Sequence, residues 1–200
     1  MNELVVATRN QGKLQEIRAM LAGLVASVRC AGDFAGFPDT VEDGATFAEN
    51  ALKKAREAAR FCGLPALADD SGLVVDALGG RPGVHSARFA GEGAGDAANN
   101  AKLLRELAGV PPEAKKAAFV CTLAFVTPEG SEQLFSGRVE GLILDAARGD
   151  GGFGYDPLFL VDGFGLTMAE LGMGDKNLIS HRGQAFRLFR DYLQQWSALS

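Results

Sequence analysis

The chain has 200 residues, 47% of them hydrophobic, which is enough for one folded core or for one domain with two lobes. Its net charge of −5 argues against a general affinity for nucleic-acid backbone, although a basic cleft is compatible with an acidic whole. The three cysteines, Cys30, Cys62 and Cys121, are widely spaced with no CxxC, as expected for reduced thiols in the cytoplasm rather than a disulfide framework or a zinc site. "MNELVVATRN" has no basic leader before a long apolar run, and no stretch approaches membrane-spanning length.

"ELVVA" (3–7) reads as a short buried strand, and the helical spacing of Leu14, Ile17, Met20, Leu21 and Leu24 predicts a helix after "TRNQGK". "AGDFAGFPDTVEDGA" is a loop. "TFAENALKKAREAARFCG" is an alanine-rich helix that Thr46 caps and Gly63 ends. "LPALAD" is a second buried strand, with "GLVVDAL" expected to run back beside it. "GDAANNAKLLRELAG" is a helix broken by "VPPE". The stretch from Lys116 to Leu144 reads as an antiparallel pair turning at Pro128-Glu129-Gly130. "ARGDGGFGYDPLF" is a glycine-rich loop leading into a short strand, and an amphipathic helix through Phe189 and Trp196 follows "SHRG". The alternation of helices and strands, without repeat or linker, predicts one α/β unit.

Five stretches carry polar residues with chemical potential. In "TRNQGK", a strand-to-helix turn combines unpaired helix N–H groups with Thr8, Asn10 and Lys13, a set suited to phosphate; the Walker spacing is absent, and a plain turn is the alternative. Glu42 lies in a loop, either beside a metal or solvated. Glu49 and Lys53 are spaced for an ion pair on an exposed helix face, with Lys54 about a quarter turn away. In "ADDSG", adjacent Asp69 and Asp70 at a strand exit call for a compensating cation, Mg²⁺ being the usual one, with one carboxylate free to activate water. An Asx-type turn is the competing reading. "GGFGYDP" offers Phe153 as a stacking ring on a backbone that glycine lets a ligand approach. In "DKNLISHRG", Ser180 reads as a helix N-cap, which puts His181 and Arg182 in the first helical turn, where basic residues oppose the helix dipole. His85 reads as a packing or surface residue. Together these parts make up the inventory of a nucleoside triphosphate site.

In "TRNQGK", "FAENALKKA", "ADDSGLVVDALGGRPGVHSAR", "GGFGYDP" and "SHRGQA", in this order along nearly the whole chain, the sequence resembles the inosine triphosphate pyrophosphatases, also called dITP/XTP pyrophosphatases. The resemblance implies an elongated two-lobed α/β domain spanning residues 1–200, with a long mixed sheet flanked by helices, a cleft between the lobes, and a homodimer. It implies Mg²⁺-dependent hydrolysis of the α–β bond of ITP, dITP or XTP to monophosphate and pyrophosphate, keeping damaged purines out of DNA and RNA. Thr8, Asn10 and Lys13 would bind phosphates, with Lys54 and Lys176 as further cations. Glu42 and Asp70 would hold the metal, Asp69 would support them, and Asp70 would serve as base for the attacking water. Ser71 would touch substrate, Phe153, Gly154, Tyr155 and Asp156 would line the base and sugar pocket, and His181 and Arg182 would meet the base edge. Arg9 stands where many relatives have glycine, so no positive φ is expected there. "GEGAGDAANN" departs from the family in composition and is expected to touch none of these residues. The alternatives are a pyrophosphatase for modified pyrimidine triphosphates, which "SHRG" and "GGFGYDP" disfavour, and a non-hydrolytic nucleotide sensor, which retention of three acids disfavours.

Overall fold

The computed structural model describes residues 1–199, with side chains through Trp196. The chain runs β1 (Glu3–Val6), α1 (Gln11–Leu21), β2 (Ser27–Cys30), α2 (Phe47–Cys62), β3 (Ala66–Val75), α3 (Asp96–Glu106), β4 (Lys116–Val126), β5 (Glu132–Ile143), β6 (Phe159–Val161), α4 (Met173–Ile179) and α5 (His181–Leu199). The strands form one six-stranded sheet in the order β2-β1-β3-β4-β5-β6. β1 is parallel to β2 and to β3, whereas β5 and β6 are antiparallel, so the sheet is mixed and the fold is α/β. Among the described residues no helix is long and apolar enough to cross a membrane.

Two compact units divide the chain, one of residues 1–70, 121–137 and 182 onward, the other of residues 71–120 and 138–181. In the first, side chains alternate across the strands, as a period of two requires. Leu4, Val6, Leu67, Cys121, Leu123 and Phe125 face a core shared with Leu14 and Ile17 of α1 and Phe186 and Phe189 of α5. Val5, Ala66, Ala68, Ala124 and Val126 face α2, which answers with Ala51, Ala55, Ala58 and Ala59. These alanines let α2 lie close on the sheet. Thr46 caps α2 by accepting from Glu49 N–H, and Gly63 ends it in the left-handed conformation (φ 63°), as the sequence predicts. The second unit has its own core, built on Leu73, Phe119, Phe159, Leu103 and Met168.

Two sequence expectations change, and one stretch gains an element. "GLVVDAL" does not run back: β3 continues through Asp69, Asp70, Ser71 and Gly72 to Val75. The polar run breaks no strand, because cations from neighbouring elements satisfy both carboxylates. Glu49 does not pair with Lys53; its carboxylate accepts from the N–H groups of Ala45 and Thr46, completing a capping box, and Lys53 pairs with Asp43 instead. The stretch before Ser180, read only as a motif, forms the short helix α4, which Ser180 ends in extended conformation; Ser180 also directly precedes α5, whose first turn holds His181 and Arg182 as the sequence predicts.

Candidate active site

The alternation along β3 decides what Asp69 and Asp70 do. Asp69 shares the face of Leu67, toward α1 and α5; Asp70 shares the face of Ala66 and Ala68, toward α2. Adjacent in sequence, they belong to two different charge clusters, rather than forming the side-by-side pair that the sequence suggested.

On the α1–α5 face, Asp69 Oδ1 forms an ion pair with Lys13 Nζ. Its Oδ2 accepts from Arg182 Nε at 2.9 Å and from the Cys121 thiol at 3.1 Å. Arg182 in turn donates from Nη1 to Glu16 at 2.5 Å. Arg182 is 1% exposed, so its guanidinium is held between two buried carboxylates with its orientation fixed. Burial pushes the Asp69 carboxyl up, but Arg182 and Lys13 outweigh it and hold the group well below the usual carboxylate range. Burial and the Asp69 charge push the Cys121 thiol well above the usual range.

On the α2 face, Lys54 Nζ lies 2.8 Å from each of three acceptors: Glu42 Oε1, Asp70 Oδ1 and the Asp69 carbonyl. Asn50, fully buried, donates to Asp70 Oδ2 at 3.3 Å and accepts from Gly44 N–H at 2.8 Å, tying the Glu42 loop to the strand. Desolvation dominates at Asp70 and raises its carboxyl above the usual value despite Lys54 and Lys13. At Lys54 the balance goes the other way: burial lowers the ammonium, and Asp70 and Glu42 more than restore it. One carboxylate is thus firmly ionised, and its neighbour is made more basic. Asn10 caps α1, accepting from Lys13 N–H at 2.9 Å, and Thr8 Oγ accepts from Asn10 N–H at 3.2 Å. Arg9 pairs with Asp39 at 2.9 Å, and no non-glycine residue among those described has positive φ.

In the second unit, Ser71 continues β3, and the "GGFGYDP" loop is organised by Asp156. Asp156 Oδ2 accepts from Phe153 N–H at 2.9 Å and from Lys176 Nζ at 2.7 Å. Lys176 Nζ also lies 5.0 Å from the centroid of the Phe153 ring. Gly152 sits at φ +72°, and a Cβ there would collide with the Asp156 carboxylate, so the loop's tight return requires glycine. Tyr155 donates to the Ser86 carbonyl at 2.9 Å, and burial pushes its phenol up. His181 is buried and stacks on Phe119 with centroids 4.9 Å apart at 14°.

Thus Lys13, Asp69 and Arg182 form one cluster, Glu42, Lys54 and Asp70 a second, and Phe153, Asp156 and Lys176 a third. Sequence reading missed Glu16 and Cys121, which carry no motif of their own, and gave no role to Asn50 although it lies within "FAENALKKA"; Glu16 is one helical turn beyond Lys13. It also misjudged "GEGAGDAANN". Asp96 accepts from Gly154 N–H at 2.7 Å and Asn100 donates to the Gly154 carbonyl at 2.9 Å, so this stretch does touch a candidate site residue.

Comparison with known proteins assigns the chain to a family. Residues 4–192 match the model of the Ham1 family. A dITP/XTP pyrophosphatase of Geobacter sulfurreducens is 61% identical over 96% of this chain and 97% of its own. Its counterpart in Geobacillus kaustophilus is 54% identical over 92% and 91%. The solved structure of a HAM1 protein from Coxiella burnetii superposes with a TM-score of 0.88 at 42% identity, covering 98% of this chain and 100% of that one. The Asp69–Asp70 strand, the Lys54 helix and the Phe153 loop therefore belong to a member of the Ham1 family.

Proposed function

We propose that this protein hydrolyses the α–β phosphoanhydride of the non-standard purine nucleotides ITP, dITP and XTP, releasing the monophosphate and pyrophosphate and so keeping these bases out of DNA and RNA. The observation that carries the reading is the division of labour on β3. Asp69, held ionised, anchors Lys13 and Arg182. Asp70, desolvated and held 2.8 Å from Lys54 Nζ beside Glu42, is the carboxylate placed to take a proton. The names of the relatives, dITP/XTP pyrophosphatase, support the same reaction and substrates.

Glu42 and Asp70 both bond one ammonium, Lys54 Nζ, at 2.8 Å, so their oxygens converge on a point where a single cation is stable. Hard carboxylate oxygens of this kind fit Mg²⁺. Among the described residues no group of three or more acids, histidines or cysteines is placed to hold a metal alone, which fits an ion shared with substrate phosphates. When bound, Mg²⁺ would neutralise phosphate charge and polarise the scissile bond. The chain's own groups do the rest. Asp70 takes the proton of the attacking water, while Lys13 and Lys54 supply positive charge to the phosphates, with Thr8 and Asn10 at the α1 N-terminus. Phe153 offers a ring for the base, and Lys176 adds a cation beside it. His181 and Arg182 are donors for a position-6 oxygen, which hypoxanthine and xanthine carry and adenine replaces with an amino group. A donor facing that amino group loses its bond in a dry site, a mismatch that can reach a factor of about 10⁴. Exclusion of GTP, which shares the oxygen, falls to sterics around the 2-amino group. The cytoplasm and a homodimeric state complete the proposal.

The test is to incubate the purified protein with Mg²⁺ and, separately, ITP, XTP, GTP and ATP. Inosine monophosphate plus pyrophosphate, with GTP and ATP slow, is the expected result. Release of orthophosphate and nucleoside diphosphate would overturn the bond assignment, and no turnover of any of the four purine triphosphates would overturn the substrate class.

A further inference from the structure

Asp96 and Asn100 are four apart on α3 and therefore on one helix face. Both reach the same residue. Asp96 Oδ2 accepts from the N–H of Gly154 at 2.7 Å, and Asn100 Nδ2 donates to its carbonyl at 2.9 Å. Gly154 itself has φ +62°, a left-handed conformation that needs an outside hold to be unique. On the preceding residue, Asp156 Oδ2 takes the Phe153 N–H at 2.9 Å. The backbone on both sides of the Phe153 side chain is thus fixed by side chains, two of them from α3.

Asn100 holds its place at some cost. Its Oδ1 is buried with no hydrogen-bond partner among the described residues, a state that an apolar side chain at this position would avoid. Local rules of this kind are broken where geometry matters more than stability.

We infer that Asp96 and Asn100 are positioning residues for base recognition: they clamp the Gly154 backbone and so set the plane of the Phe153 ring on which the base stacks. This rests on the reading of Phe153 as the base platform. The clamp acts on the base alone, and the phosphates have no part in it.

Titration calorimetry with two probes, α,β-methylene-ITP and inorganic tripolyphosphate, each with Mg²⁺, tests the clamp. Asp96→Ala removes an acceptor, and Asn100→Asp replaces the donor with a carboxylate facing a carbonyl. Each is expected to weaken the inosine analogue by about tenfold while leaving tripolyphosphate unchanged. Asp96→Asn keeps an acceptor and is expected to retain the wild-type preference. Asp96 is exposed, so its variants do not open the core. Variants that bind the analogue as wild type does, or that lose both probes equally, would overturn the clamp alone. A wild-type protein that binds analogue and tripolyphosphate equally would overturn the base-platform reading, and the clamp with it.

Discussion

Asp69 and Asp70 have the same side chain and adjacent backbone, and opposite electrostatic fates. Asp69 gains Lys13 and Arg182 and is held ionised; Asp70 is desolvated more than its lysine compensates. Asp70→Asn keeps the shape and the hydrogen bond from Lys54 but cannot take a proton. Turnover of ITP should fall by about 10²–10⁴-fold, with nucleotide binding by calorimetry retained. A non-hydrolytic sensor would show no such separation. Arg182→Met tests the other face, leaving Asp69 and Glu16 buried without their shared cation. Urea unfolding should show a loss of about 3–5 kcal/mol. The two aspartates were legible in the sequence as a charged pair needing cations. Their separation follows from strand parity, and that became visible only once "ADDSG" proved to be strand rather than turn. The roles of Glu16, Asn50 and Cys121 were not legible, Asn50 even within its motif, because a buried polar residue looks like a surface one until its partners, up to 166 residues away for Glu16 and Arg182, are in place.

At the level of elements, α2 links stability to chemistry. Its alanines lie against β1, β3 and β4, and Lys54 projects from the turn that Ala51, Ala55 and Ala58 press to the sheet. Ala55 is fully buried in this layer of small side chains. Ala55→Leu should cost about 1–3 kcal/mol in urea unfolding. Because α2 must lift to admit the added methylenes, turnover should fall as well, since Lys54 shifts from Asp70 and Glu42. A surface change such as Arg60→Ala should do neither. The ends of α2 were fully readable, Thr46 and Gly63 being strong signals with local causes. β2 and α4 were not read, since four residues of "SVRC" and seven of "MGDKNLI" carry too little periodicity to register. The continuation of β3 was misread because aspartate, serine and glycine favour turns in isolation. Here the carboxylates are paired with cations and Gly72 needs no positive φ, so the strand persists.

Across the whole molecule, composition indicated an α/β chain with unpaired thiols, and Cys30, Cys62 and Cys121 are free. What composition could not supply is how differently the three are placed. Cys121 lies on β4, fully buried, donating to Asp69. Burial comes first, and the carboxylate adds to it, in pushing its thiol well above the usual range. Cys30 and Cys62 are half-buried, and desolvation raises Cys62 more mildly. The thiolate is the reactive species, so a raised pKa means a smaller reactive fraction at any pH below it. Iodoacetamide at neutral pH, read by mass spectrometry, should therefore label Cys30 and Cys62 in the native protein and leave Cys121 unmodified. Raising the pH toward 9 should speed Cys62 and still spare Cys121, whose exposure requires β4 to leave the sheet. Labelling of Cys121 should begin only with urea, at the midpoint of the far-UV transition, because the strand that carries it is central in the order β2-β1-β3-β4-β5-β6. Labelling well before that midpoint would mean that β4 opens on its own and exposes the Asp69 cluster without global unfolding. Arg182→Met should move the onset of Cys121 labelling to lower urea together with the midpoint, since the same charge cluster holds both.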